Sequence, residues 1–155
     1  MYYVDVDGVV ADFEGWISNF GSFSEDDWRY STKPWKILEE NIEVAYLCLE
    51  PTNLLPMFEN LYNTHPTKFL TALPKTWLDT ELWEQGMKNK VNWLKQNVKN
   101  FKDEDCIVTP GPFAKLEYCQ PGDFLFDDRY DTIEKWNNAG GIGIRVAGCT
   151  NKERA

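Results

Sequence analysis

Hydrophobic positions along this chain follow two rhythms. Short apolar runs recur at 2–6, 68–73, 106–108, 124–126 and 142–146. Their aromatic and β-branched residues, bounded by turn formers such as Pro74, predict buried strands. Between them, apolar residues repeat at helical spacing. Phe13, Trp16, Ile17 and Phe20 mark a helix over 12–20, and Leu54, Leu55, Phe58, Leu61 and Tyr62 a second. Leu82, Trp83, Met87, Val91, Leu94 and Val98 form the stripe of a long helix over 78–98, weakened at Gly86 by about 1 kcal/mol relative to Ala. A last helix over 131–139 ends at Gly140-Gly141. This alternation predicts an α/β fold, a three-layer Rossmann-like arrangement with a mainly parallel sheet.

Residues 21–50 break the rhythm. Trp28, Tyr30, Trp35, Ile37, Leu38, Ile42, Tyr46 and Leu47 crowd into a stretch that also carries Glu25, Asp26, Asp27, Glu39 and Glu40. We read it as a small helical cap inserted after the first strand and helix. The core domain is then 1–20 and 51–150, with a polar tail at 151–155.

In a parallel sheet, ligands bind outside the carboxyl ends of the strands. Asp5, Asp7, Thr71 and Asp127 are all predicted at such ends, with Asp128 beside the last and Lys115 in a loop after the third strand. Residues two apart on a strand share a face, so Asp5 and Asp7 start on one side, and Gly8 then turns the chain. Two carboxylates at a buried strand end repel each other and lose hydration, which a hard divalent cation relieves, Mg²⁺ first among them. Asp-x-Asp-Gly also occurs in ordinary turns, so the pair alone leaves a solvated strand end open.

Composition narrows the partners. The formal net charge of -9 disfavours a long phosphate backbone. Aromatics at 15% leave rings to spare for a pocket. Cys48, Cys106, Cys119 and Cys149 form no C-x-x-C pair and read as reduced, buried thiols. No apolar run approaches the roughly 20 residues of a membrane span. The expectation is a soluble cytoplasmic protein, monomer or homodimer, with no membrane partner. His65, the single histidine, reads as surface or structural.

The order of these motifs resembles the haloacid dehalogenase superfamily of phosphotransferases. Asp5-Val6-Asp7-Gly8-Val9-Val10-Ala11-Asp12-Phe13 is similar to the opening motif of its 5′(3′)-deoxyribonucleotidases, in which Asp-x-Asp precedes Gly-Val-Leu-Ala-Asp-Phe. Leu49-Glu50-Pro51, Lys90-Val91-Asn92-Trp93, Phe126-Asp127-Asp128-Arg129 and the stretch 136–144 extend the likeness over nearly the whole chain. The resemblance implies Asp5 as nucleophile and Asp7 as general acid and base. It implies Mg²⁺ held by Asp5, Asp127, Asp128 and the Asp7 backbone carbonyl, and phosphate bound by Thr71 and Lys115. Phe13 and Tyr46 would contact a small-molecule nucleotide substrate, with Lys75 and Lys90 orienting the acids. Trp28 and Trp35 are candidate pocket walls on aromatic density alone. One departure stands out: Ala72 occupies the position where the family usually has Ser, removing one hydroxyl donor to phosphate.

The implied activity is hydrolysis of (deoxy)nucleoside monophosphates through an aspartyl-phosphate. The alternatives are a phosphatase for another small phosphomonoester or a nucleic-acid 3′-phosphate end, and a non-catalytic binding module on the same fold.

Overall fold

A computed structural model describes residues 1–21 and 33–149. Glu25, Asp26, Asp27, Trp28 and Tyr30 of the predicted cap, and the tail 151–155, lie outside the described residues. Five parallel strands form one sheet in the order β3-β2-β1-β4-β5: β1 Tyr2–Val4, β2 Thr67–Leu73, β3 Cys106–Pro110, β4 Phe124–Asp127 and β5 Ile142–Arg145. The helices are α1 Phe13–Ile17, α2 Lys33–Glu40, α3 Leu55–Thr64, α4 Glu81–Asn97 and α5 Tyr130–Asn138.

Alternation along the strands sorts the core into two faces. Val4, Phe69 and Leu73 face one way and share an apolar cluster with Phe58 of α3 and with Trp93 and Leu94 of α4. Tyr3, Leu70 and Leu125 face the other way, onto Ile133 and Trp136 of α5. Both tryptophans are buried, and each indole N–H finds a carbonyl: Trp93 on Leu49 at 2.9 Å, Trp136 on Asp123 at 3.0 Å. The Trp93 bond anchors the end of the predicted cap. Leu38, Ala45 and Tyr46 are buried in the same cluster as Val4, so the described part of 21–50 shares the core's main apolar body.

Several boundaries differ from the sequence expectation. β1 stops at Val4, because Asp5 to Ala11 fold into a turn whose amides at Val9, Val10 and Ala11 all donate to the Val6 carbonyl. β2 continues past Thr71 to Leu73, held by β3 alone beyond Phe69. Lys75–Trp77 forms a 3₁₀ turn, and α4 begins only at Glu81. Asp12 caps α1 from outside, accepting from the Gly15 amide at 3.0 Å.

Gly86 does not interrupt α4. A Cβ there would meet Leu73 Cδ1 at 2.8 Å, so the missing side chain lets the helix pack directly on β2. The chain's last described stretch straps the first turn in place. Val146 N donates to Asp127 O, Gly148 N to Gly8 O, and Cys149 N to Asn53 Oδ1, at 3.0, 2.9 and 2.8 Å.

Candidate active site

Asp5 follows β1 directly, its amide bonded to Phe126 O of β4 at 2.9 Å. Its carboxylate is buried. Oδ1 accepts from the Val6 amide at 2.8 Å and lies 3.1 Å from Lys115 Nζ. Oδ2 takes no hydrogen bond among the described residues, leaving one lone-pair-bearing oxygen uncommitted. Asp127 ends β4 with no exposure at all; Oδ2 accepts from Lys115 at 2.7 Å and Oδ1 from the Arg129 amide at 3.0 Å. Asp128 is half-buried against Gly8, whose φ of +80° and missing Cβ admit it: a Cβ there would fall 2.2 Å from Asp128 Oδ2.

One carboxylate oxygen from each of Asp5, Asp127 and Asp128 lies within 4.8 Å of the others. Lys115, nearly fully buried in the 3₁₀ segment Pro112–Tyr118, is the cation that partly offsets them. It does not suffice. Burial first, then the Asp127 charge, pushes the Asp5 carboxyl up to about 7 against the pull of Lys115. Burial and the charges of Asp5 and Asp127 likewise raise Asp128. For Lys115, burial acts downward but is outweighed by Asp127 and Asp5, so its ammonium is strengthened. Three hard oxygen donors converging on one point, still carrying excess negative charge, fit a divalent cation of the Mg²⁺ type. The Asp7 backbone carbonyl is available as well, since none of the hydrogen bonds of the turn uses it.

Asp7 is held separately. Its oxygens accept from Tyr46 Oη at 3.0 and 2.9 Å, and Oδ2 also from Lys90 Nζ at 3.0 Å. Lys90 is fully buried and further donates to Thr71 Oγ1 at 2.5 Å and Ala72 O at 2.9 Å. The Tyr46 hydroxyl is pushed well above its ordinary value by burial and by Asp7, which keeps it a donor.

These groups open onto a cleft of about 390 Å³ lined by Asp5, Asp7, Thr71, Lys115 and Asp128 on its floor and by Phe13 and Trp35 on one wall. Phe13 and Trp35 stack with ring centroids 5.8 Å apart and 28° between planes. The opposite rim is Arg129, Tyr130, Asp131 and Arg145. Arg129 is paired with Asp131 at 2.9 Å. Arg145 lies 4.1 Å above the Tyr130 ring and donates Nε to Asp128 O at 3.1 Å.

The structure therefore brings together Asp5, Asp7, Thr71, Lys115, Asp127, Asp128 and Lys90, with Phe13 and Trp35 beside them. Tyr46, expected against the substrate, is instead buried with its hydroxyl committed to Asp7. Lys75 is exposed on the 3₁₀ turn after Pro74 and makes no ion pair among the described residues, so the expected role in orienting the acids falls to Lys90 and Lys115. The rim arginines were not singled out from sequence. Arg145 could have been, because it too ends a strand, in register with Asp127.

No protein-family model and no curated protein matches the chain. Among solved structures it is similar to an HAD hydrolase, family IA, variant 3, from Entamoeba histolytica, with a TM-score of 0.56 and 14% identity over 94% of this chain and 83% of that one. At this identity the likeness is one of fold. The chain thus has an HAD-hydrolase-like fold, a five-stranded parallel sheet with helices on both faces and an acidic cluster at the carboxyl ends of its central strands.

Proposed function

We propose that the chain is a Mg²⁺-dependent phosphomonoesterase acting on (deoxy)nucleoside monophosphates through an aspartyl-phosphate. The observation that carries this reading is Asp5, which lines the cleft with one oxygen pinned by Val6 N and Lys115 and the other without a hydrogen bond among the described residues. The free oxygen attacks phosphorus, the P–O bond to the leaving alcohol breaks, and Asp7 supplies the proton that alcohol takes up. Water then attacks the phosphorus of the aspartyl-phosphate, giving a proton to Asp7; the bond between phosphorus and the Asp5 oxygen breaks, inorganic phosphate leaves, and the Asp5 carboxylate is restored. Thr71 and Lys115 bind the phosphoryl oxygens. Asp5, Asp127, Asp128 and the Asp7 carbonyl would hold Mg²⁺, which when bound offsets the repulsion between an anionic phosphate and an anionic nucleophile.

The nucleoside part rests on the stacked Phe13–Trp35 wall, since a base stacked on an aromatic side chain gains about 1–3 kcal/mol in nucleic-acid systems. The net charge of -9 speaks against a nucleic-acid end. A binding module would need neither a free nucleophilic oxygen nor a second carboxylate held apart from the metal-type cluster.

The test is a screen of the purified protein, with and without Mg²⁺, on nucleotide, sugar and oligonucleotide-end phosphates. Turnover of nucleoside monophosphates above sugar phosphates is expected, stopped by EDTA and restored by Mg²⁺. Preference for sugar phosphates removes the nucleoside assignment, and failure on every monoester removes the phosphatase.

A further inference from the structure

Lys90 sits with no exposure in the middle of α4. A buried ammonium is tolerated only when its protons find acceptors. All three do: Asp7 Oδ2 at 3.0 Å, Thr71 Oγ1 at 2.5 Å and Ala72 O at 2.9 Å. What brings it there is Gly86, one turn earlier on the same helix face, whose missing Cβ lets α4 close onto Leu73 of β2.

The consequence lies at Thr71. An ammonium donates and never accepts, so the Thr71 hydroxyl oxygen must be the acceptor of that bond. Its own proton has to point elsewhere. Among the described residues the Thr71 hydroxyl donates to nothing, and Thr71 lines the cleft together with Asp5, Asp7 and Ala72. Thr71 itself is buried, and an oxyanion bound in the cleft would give that proton an acceptor. The same ammonium grips Asp7, to which the Tyr46 hydroxyl also donates.

We infer that Lys90 is a positioning residue that commits the Thr71 hydroxyl to donate into the cleft, onto an oxygen of a bound tetrahedral oxyanion, while holding Asp7 beside it. Phosphate recognition and placement of the proton-transfer carboxylate are thereby coupled through one ammonium. The coupling to turnover rests on the phosphatase reading; the donation to an oxyanion does not. Ala72, which contributes no hydroxyl, instead contributes its carbonyl to the lysine, so this site fixes a single hydroxyl donor rather than offering two.

The experiment combines titration of inorganic phosphate onto the Mg²⁺-treated protein with p-nitrophenyl phosphate kinetics. The proteins are the wild type, Thr71→Val, Thr71→Ser, Lys90→Met and the Thr71→Val/Lys90→Met double variant. Thr71→Val should weaken phosphate about 10-fold and Thr71→Ser should restore it. Lys90→Met should weaken phosphate by a similar factor and lower kcat further, through Asp7. The double variant should bind phosphate no worse than Lys90→Met alone, the non-additivity expected of residues acting through one bond. Additive effects, or a folded Lys90→Met with wild-type phosphate affinity and kcat, would overturn the inference. Should Lys90→Met fail to fold, unchanged phosphate affinity in Thr71→Val overturns it alone. A wild type that binds phosphate without turnover sinks the phosphatase but leaves the titration to decide Lys90. One that neither binds nor turns over sinks both.

Discussion

The floor of the cleft and its aromatic wall are held by different means. On the floor, Asp5 and Asp127 are fixed by the backbone ladder, since each ends or follows a strand whose neighbours set its position to within a hydrogen bond. Their charges are partly offset by Lys115, 3.1 Å from Asp5 and 2.7 Å from Asp127. On the wall, Phe13 belongs to a five-residue helix and Trp35 to an eight-residue one, and their rings stack on one another. A floor of this kind resists displacement because moving one carboxylate leaves another buried charge unpaired. A wall of this kind adjusts to what it touches. Bond-making chemistry belongs on the first and substrate selection on the second.

The largest contrast should come from Asp5→Asn. We expect turnover to fall by at least about 10³-fold, while the metal-free protein at pH 8 melts higher than wild type because a buried charge is gone. Appreciable residual turnover would mean the floor does not supply the nucleophile. Next is pH. The folded Asp5 carboxyl sits at about 7, above its ordinary 3.8, so between those values the folded protein holds more protons than the unfolded one. The stability this group contributes is present below pH 3.8 and is lost as pH rises through 7, on the order of a few kcal/mol. Denaturant melts of the metal-free protein should show that decline, and Mg²⁺ should oppose it above pH 7. A flat profile without metal would contradict the burial argument.

The wall should answer differently. Trp35→Ala is expected to raise KM for nucleoside monophosphates about 10-fold and to leave p-nitrophenyl phosphate turnover and the pH profile unaltered. Equal losses on both substrates would place Trp35 in support of the floor instead. Last and smallest, Lys75→Ala should change kcat/KM less than about twofold, because an exposed side chain outside the cleft has nothing to transmit. A tenfold loss there would show that the lysine reaches the site in a state other than this one.

The same contrast explains what could be read from sequence. Strand ends announce themselves: an apolar run stops, an acid or threonine follows, and in a parallel sheet those ends gather on one edge. Asp5 and Asp127 needed no more than that, whereas Thr71 lies two residues short of the end of β2. Lys115 was grouped with them as a lysine in the loop after the third strand, but its role came only through the family resemblance. Lys90 was marked by its position, since it lies seven residues after Trp83, three after Met87 and four before Leu94, inside the apolar stripe of its helix. A cation there is buried and must have partners. Tyr46 offered no such sign, because a tyrosine among other apolar residues is indistinguishable from core until its hydroxyl is located. Lys75, which the resemblance paired with Lys90, is left exposed by the 3₁₀ turn that follows Pro74.

The strap of residues 146–149 makes the acidic centre depend on a stretch that contributes no acid to it. Val146 N holds the Asp127 carbonyl, Gly148 N the Gly8 carbonyl and Cys149 N the Asn53 side chain. One short segment thereby ties the turn that carries Asp5 and Asp7 to the strand that carries Asp127. Local opening of that segment would release both sides of the centre at once.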